Sequence, residues 1–414
     1  MNEALFTNDA VIFGLLALVL GFVFTTAQSS HKFWKKFYSV VPTLLMCYFL
    51  PSLLSTFNII DPGQSNLYFV ASRYLLPACL VLLTVSVDLR ELVKLGPKAL
   101  IMFATGTLGI MFGGPIAILL FSMVAPDVIS APPPNEVWRG LTTVAGSWIG
   151  GGANQAAMKE VFSVSNELFS KMVAVDILVG NTWLAFLMVG IGRNKWINQK
   201  LRADDSAIEH LKQKMQDFQE QVARIPTTTD LMKILGVGFV TTGIAHAGSD
   251  IIAPWIATNF PELDQYSLTS GFFWIVVIAT TLGVGLSFTR LRQLEGVGAS
   301  KVGTVLIYIL VATIGMNMNI LAIKDNPGLF LVGIVWMLIH VGTMILVAKI
   351  IRAPFFFVAV GSQANVGGAA SAPVVASYFH PSLAPVGVLL AVLGYALGTY
   401  GAYMCGLMMQ FATP

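Results

Sequence analysis

The chain has 414 residues, of which 56% are hydrophobic and 11% charged, with a formal net charge of +3 and a mean hydropathy of +0.76. A soluble globular domain carries about 25% charged residues, so this composition excludes an ordinary soluble enzyme, a nucleic-acid-binding protein and a disordered scaffold. It predicts an all-α polytopic membrane protein.

Twelve apolar segments are candidates to span a bilayer, because a membrane helix needs about 20 apolar residues. In chain order the predicted segments are 9–26, 37–57, 67–87, 97–123, 138–158, 167–192, 231–248, 268–288, 300–320, 329–348, 353–378 and 382–408.

Two of these segments are rich in glycine, amides and hydroxyls, and they do not read as continuous lipid-facing helices. The first, 138–158, contains Gly150-Gly151-Gly152-Ala153-Asn154-Gln155. The second, 353–378, contains Gly361-Ser362-Gln363-Ala364-Asn365 followed by Val366-Gly367-Gly368-Ala369-Ala370-Ser371-Ala372-Pro373. Both are predicted to be broken or re-entrant helices.

The two halves of the chain resemble each other. The stretch from Thr84 to Asp88 matches the stretch from Thr313 to Asn317, and a glycine segment and a further glycine-bearing span follow each of them. Such internal symmetry is typical of transporters. We predict repeats over 1–192 and 231–414, with hairpins at 138–160 and 353–378. An amphipathic linker helix at 193–230 would join the repeats.

The distribution of Lys and Arg predicts the topology, because cytoplasmic loops carry an excess of them. If both glycine segments are hairpins, 19 of the 24 Lys and Arg fall on one side of the membrane. If both cross fully, the split becomes 9 inside against 14 outside. The rule favours hairpins, an inverted repeat, extracytoplasmic termini and a cytoplasmic 193–230.

Broken helices leave unpaired N–H groups at one break and unpaired C=O groups at the other, which suit anions and cations. The predicted solute-binding residues are Ser147, Gly151, Gly152, Asn154, Gln155, Ser362, Gln363, Gly367, Gly368 and Ser371. Asp176 is an intramembrane carboxylate and therefore a functional candidate. The predicted Na⁺ ligands are Asp176, Asn181, Asn154 and Asn365. The alternative is that the small residues serve tight helix packing and the amides join helices.

The two clusters, Gly150 to Gln155 and Val366 to Pro373, together with the halves around them, resemble the YjcL-like family of uncharacterised bacterial membrane proteins. The resemblance covers nearly the whole chain. That family is similar to the superfamily of cation:proton antiporters and anion transporters, whose members include sodium–glutamate, sodium–citrate and bile-acid–sodium symporters. The resemblance implies a scaffold domain, a dimer, and a core domain that moves as an elevator around the two glycine-rich breaks.

The sequence therefore predicts a secondary active transporter of a small anionic organic solute, coupled to Na⁺ or H⁺, in the cell inner membrane. A channel and a cation/proton antiporter are the alternatives. An enzyme is not expected, because no HExxH, GxSG, GxGD or Walker A stretch is present. No cofactor is expected beyond the coupling ion, and the expected partners are the solute, membrane lipid and a second copy of the chain.

Overall fold

The computed structural model describes residues 4–38, 41, 43–86, 93, 95–203, 208, 226–318, 326–380 and 383–413. These residues are almost entirely helical, and their only β-structure is one isolated bridge between Phe6 and Ile60. The helices of the first half are α1 (Asp9–Ala27), α2 (Lys32–Tyr38), α3 (Thr43–Thr56), α4 (Leu67–Val85), α5 (Pro97–Val124), α6 (Val137–Val161), α7 (Asn166–Gly192) and α8 (Asn194–Leu201). The helices of the second half are α9 (Thr228–Asn259), α10 (Gly271–Ser287), α11 (Ala299–Met316), α12 (Gly328–Ile350), α13 (Phe355–Val366), α14 (Gly368–Phe379) and α15 (Ala384–Ala412).

Within the described residues, eight helices are long and apolar enough to cross a membrane. They are α1, α4, α5, α7, α9, α11, α12 and α15. Each coincides with a predicted span, so the prediction of an all-α polytopic membrane protein is confirmed. The predicted linker helix falls mostly outside the described residues, as does Asp88 of the internal match.

One helix is shorter than its predicted span. Helix α3, Thr43–Thr56, lies within the predicted segment 37–57, and the preceding α2 makes an angle of 93° with it. The 14 residues of α3 rise only about 21 Å, less than the roughly 30 Å of a hydrocarbon core. The sequence of α2, Lys-Phe-Trp-Lys-Lys-Phe-Tyr, explains the bend, since a segment with both Lys and aromatic residues prefers the membrane surface.

Helix α9 is longer than the predicted span 231–248. It starts at a capping box in which the Thr227 hydroxyl accepts from the Asp230 backbone N–H and the Asp230 carboxylate accepts from the Thr227 N–H. It ends at Asn259, shortly before Pro261, which opens a 3₁₀ turn. The cap and the proline therefore set its two ends.

The helices pack as two groups. One group comprises α1, α3, α4, α9, α10 and α11. The other comprises α5, α6, α7, α12, α13, α14 and α15, and it contains both glycine segments. The two groups meet chiefly where α4 and α10 touch α6 and α15.

Candidate functional site

Helix α6 is a hairpin rather than a straight span. Gly151 has φ 75° and ψ −175°, a conformation outside the helical region that glycine alone adopts readily. The Trp138 and Phe162 rings, at opposite ends of the segment, lie 5.6 Å apart, and Arg139 Nη1 donates to the Phe162 carbonyl at 3.1 Å. A straight helix of this length would separate the same ends by about 36 Å. We call Val137–Val161 hairpin 1.

Helices α13 and α14 form hairpin 2. The break lies at Gly367 and Gly368, and Gly368 has φ 59°. The Phe356 and Phe379 rings, near the two ends, are 5.2 Å apart. Beside the break, Ser371 Oγ donates to Gln363 Oε1 at 2.7 Å, which joins the two legs.

The two hairpins meet on α15. A Cβ placed on Gly394 would lie 2.8 Å from the Ile149 carbonyl oxygen and 3.3 Å from the Ala364 carbonyl oxygen. Both oxygens belong to the last turn of a first leg, where helix carbonyls lack intrahelical partners. Two negative helix ends therefore converge on one glycine, and such ends favour a cation.

The Asp176 carboxylate on α7 is held by hairpin 1. It is 6% exposed and accepts three side-chain hydrogen bonds, from Ser147 Oγ at 2.7 Å, Trp148 Nε1 at 2.8 Å and Gln155 Nε2 at 3.0 Å. Ser147 and Trp148 lie on the first leg and Gln155 on the second, so Asp176 joins both sides of the break. Three donors on one carboxylate stabilise its ionised form.

Hairpin 2 has a similar contact through Ser362, which follows Gly361 as Ser147 follows Gly146. The Ser362 hydroxyl accepts from Trp183 Nε1 at 2.8 Å and lies 2.8 Å from His340 Nε2. His340 Nδ1 lies 3.0 Å from the Gly106 carbonyl oxygen, so that nitrogen must carry the proton. His340 therefore donates to the Gly106 carbonyl from Nδ1 and contacts the Ser362 hydroxyl through Nε2.

Trp148, Trp183 and His340 were not among the predicted site residues. A signal for them existed in the Gly-Ser dipeptide shared by both hairpins, but their hydrogen bonds come from side chains on separate helices. Spacing along one chain does not reveal such contacts.

Two of the predicted Na⁺ ligands, Asn154 and Asn365, have their own sets of hydrogen-bond partners. Asn154 donates to the Gly150 and Tyr395 carbonyls and accepts from Thr399. Asn365 accepts from Thr107 Oγ1 and donates to the Phe103 and Gly361 carbonyls. Each amide therefore joins its hairpin to a neighbouring helix, α15 or α5.

Asn181 lies apart from Asp176. It is exposed, and its Nδ2 donates to the Ile177 carbonyl of its own helix at 2.6 Å. Five residues turn a helix by about 140°, so the two side chains point to different faces. Among the described residues there is no group of three or more His, Cys, Asp or Glu that could hold a metal ion.

Two amide atoms near the breaks have no partner. Gln155 Oε1 and Gln363 Nε2 are buried without a hydrogen bond within the described part of the chain. A Cβ on Gly152 or Gly368 would meet nothing within 4 Å, so the backbone of both second legs begins at open space. The breaks therefore offer unpaired polar groups to a ligand.

Comparison with known proteins places the chain in a family. Residues 10–411 match the family described as "Protein of unknown function (DUF819)". The chain belongs to this family. It is also similar to the uncharacterised membrane protein YjcL of Bacillus subtilis (strain 168), with 24% identity over 362 residues that cover 83% of this chain and 84% of YjcL. The predicted resemblance to YjcL-like membrane proteins is confirmed, and the geometry above is that of a DUF819 protein.

Proposed function

We propose that this DUF819 protein is a secondary active transporter of a small anionic organic solute, coupled to Na⁺ or H⁺. The observation that carries the proposal is the meeting of the two hairpins at Gly394, with carbonyl oxygens of both first legs pointing to the same place. A membrane protein tolerates irregular backbone at this depth only where it is buried or lines a cavity. Paired broken helices are a feature of transporter binding sites.

The coupling ion would bind on the carbonyl side of the breaks. A hard cation such as Na⁺ prefers oxygen ligands, and the Ile149 and Ala364 carbonyls supply two of them. Asp176 is tied to the same hairpin through Ser147 and Gln155. A cation or a proton would offset the cost of its buried charge.

The solute would bind on the other side of the breaks. The second legs begin at Gly152 and Gly368, where free N–H groups and the positive end of the helix dipole favour an anionic group. The side chains that complete this side in the proposal are Ser147, Asn154, Gln155, Ser362, Gln363 and Ser371. Anion and cation held on adjacent helix ends would stabilise each other, and such coupling is reciprocal by thermodynamic linkage.

Alternating access would use the two packing groups. The group with both hairpins would move as an elevator-type core against a scaffold of α1, α3, α4, α9, α10 and α11. The proposal includes an inverted repeat, membership of the cation:proton antiporter and anion transporter superfamily, and a homodimer in the cell inner membrane. Both termini would be extracytoplasmic, and no enzymatic activity is assigned to the chain.

Solute uptake into proteoliposomes under imposed Na⁺ or pH gradients tests the function. Uptake of one member of a panel of amino acids and small carboxylates should depend on at least one gradient. Asp176→Asn should remove that dependence, whereas Asp127→Asn, a change at an exposed turn, should leave it intact. Uptake that ignores both gradients would contradict the proposal. Flux that does not saturate would point to a channel, and solute-free Na⁺/H⁺ exchange would point to an antiporter.

A further inference from the structure

The short helix α2 carries its charged and its aromatic residues on opposite sides. Lys32, Lys35 and Lys36 follow one another at spacings of three residues and one. At about 100° per residue, these three positions fall within about 100° of one another around the helix. The other four residues of α2 are all aromatic, namely Phe33, Trp34, Phe37 and Tyr38. They occupy the opposite side, so α2 has a basic face and an aromatic face.

The aromatic face holds α2 against the end of α1. The Tyr38 hydroxyl and Thr26 Oγ1 lie 2.8 Å apart, and the Trp34 ring meets the Phe22 ring edge-on at 5.7 Å. The Phe33 ring, in contrast, is 60% exposed. Helix α1 is long and apolar enough to cross a membrane, and it ends shortly before α2 begins. Helix α2 is therefore fixed at the level where the hydrocarbon core gives way to lipid headgroups.

The basic face has no acidic partner. No Asp or Glu occurs in the sequence between Asp9 and Asp61. Lys32 and Lys35 are exposed, and neither forms an ion pair within the described part of the chain. Side chains three residues apart on a helix are neighbours, with about 5–6 Å between their Cβ atoms. One phosphate group can therefore contact both ammonium groups.

An anionic phospholipid matches both faces of α2. A helix with aromatic residues on one side and Lys on the other lies in the plane of the membrane surface, with its rings toward the acyl chains and its Lys toward the headgroups. The angle of 93° between α2 and α3 agrees with a surface helix followed by a segment that enters the membrane. A soluble acidic partner would match the Lys residues but would leave the exposed Phe33 ring in water.

We propose that α2 binds the headgroups of anionic phospholipids, with Lys32 and Lys35 contacting one phosphate while the Phe33 ring lies among the upper acyl carbons. This inference goes beyond the proposed function and does not depend on which solute is transported. Each Lys beside an anionic membrane surface raises the affinity about fivefold. Two Lys residues on one phosphate should therefore enrich anionic lipid around α2.

The enrichment of lipid next to α2 tests the proposal. Ser30→Cys places a thiol at an exposed position beside α2, and the native cysteines are buried. The full-length protein with bimane on this thiol is reconstituted in phosphatidylcholine vesicles that contain a little nitroxide-labelled phosphatidylglycerol or nitroxide-labelled phosphatidylcholine. The quenching by the first lipid divided by the quenching by the second is the preference ratio. It should exceed about three and fall toward one in about 0.5 M salt, because salt screens exposed charges.

Paired variants separate the charge of α2 from the charge of the whole protein. Lys32→Gln with Lys35→Gln should bring the preference ratio close to one, whereas Lys32→Arg with Lys35→Arg should keep it, because Arg retains the charge. Lys233→Gln with Lys301→Gln is the matched control, since it removes the same charge from exposed positions on α9 and α11. This control should keep the wild-type ratio. The thermal unfolding midpoint in detergent shows whether each variant is folded.

Equal quenching by the two lipids in the wild type would overturn the proposal. A preference that survives Lys32→Gln with Lys35→Gln would also overturn it, because the anionic lipid would then be held elsewhere. The same holds for a preference that the control variant loses equally, since net charge would then be the cause. If the Gln variant does not fold, the salt dependence of the wild-type ratio decides. Binding of a polyglutamate peptide without any lipid preference would point to an acidic protein segment and would contradict the lipid assignment.

Discussion

The Asp176 carboxylate shows at the residue scale how a single charge is accommodated inside a largely apolar helix bundle. Ser147, Trp148 and Gln155 turn their donors toward it. Removing one partner from a buried acceptor costs more than a hydrogen bond contributes, because the acceptor cannot recover water. These three donors are therefore the residues of hairpin 1 at which a conservative substitution should reduce stability most.

Trp148→Phe should lower the free energy of unfolding by about 2 kcal/mol, because it removes the indole donor to Asp176 and keeps most of the ring. Trp255→Phe is the control, since Trp255 is 59% exposed and should change stability by less than about 0.5 kcal/mol. Unfolding of both variants by sodium dodecyl sulfate in mixed micelles measures the difference. Equal losses of unfolding free energy would mean that the hydrogen bond from Trp148 to Asp176 does not stabilise the fold.

Gly398 is a second residue whose identity follows from its surroundings. A Cβ there would lie 2.6 Å from the Gly150 Cα, which is backbone and cannot rotate away. Gly398→Ala should destabilise the protein by about 1–3 kcal/mol. Gly236→Ala on α9, where a Cβ would meet nothing within 4 Å, should be neutral or stabilising by up to about 1 kcal/mol. The same unfolding assay distinguishes them, and a neutral Gly398→Ala would contradict the packing of hairpin 1 on α15.

At the scale of elements, the sequence predicted the long apolar helices well, because hydropathy alone decides whether a segment can lie in a membrane. It also located both glycine segments, since Gly, Asn and Gln are poor lipid-facing residues. The predicted span 37–57 is longer than α3, Thr43–Thr56, because hydropathy does not fix where a helix begins and ends.

Only part of the candidate site could be predicted from the sequence. Ser147 and Gln155, which the sequence predicted as solute-binding residues, are hydrogen-bond donors to Asp176. The role of Asn154 and Asn365 as ion ligands stays a prediction, and each amide nitrogen donates to carbonyls of its own hairpin and of the helix beside it. A single sequence does not say which of several buried carbonyls an amide will reach.

The hairpin geometry predicts a specific cross-link. Ser165 Oγ and Asn135 Oδ1 are 2.6 Å apart on either side of hairpin 1. A double variant, Asn135→Cys with Ser165→Cys, should be joined by a short bis-maleimide and lose reactivity to a polyethylene-glycol maleimide. Asn135→Cys with Gln199→Cys is the control, because α7 separates those positions by about 40 Å. The native Cys47, Cys79 and Cys405 are buried and should not react. Cross-linking of both pairs, or of neither, would argue against a re-entrant hairpin 1.

For the whole molecule, the charge bias and the hairpins together predict the topology. If hairpin 1 enters and leaves on one face, the chain crosses the membrane once between the start of α7 and the loop after α8. A reporter fused at Asn166 should therefore be extracytoplasmic, and one at Asp204 cytoplasmic. Alkaline phosphatase and green fluorescent protein fusions at both positions provide the measurement. The same location for both fusions would contradict the proposed topology.

The glycines of α15 also predict which positions of this helix tolerate substitution. Gly387 abuts the backbone of Ala372 and Pro373 in hairpin 2, Gly394 lies beside carbonyls of both hairpins, and Gly398 abuts hairpin 1. A side chain introduced at any of these glycines by a single-base change would meet main-chain atoms, which cannot rotate away. In a saturation-mutagenesis library, loss-of-function alleles should therefore fall along one line of α15, while an exposed line of the same helix, which includes Leu397 and Met404, accepts most apolar codons. One face of α15 would thus be intolerant of substitution, and another face of the same helix would be tolerant.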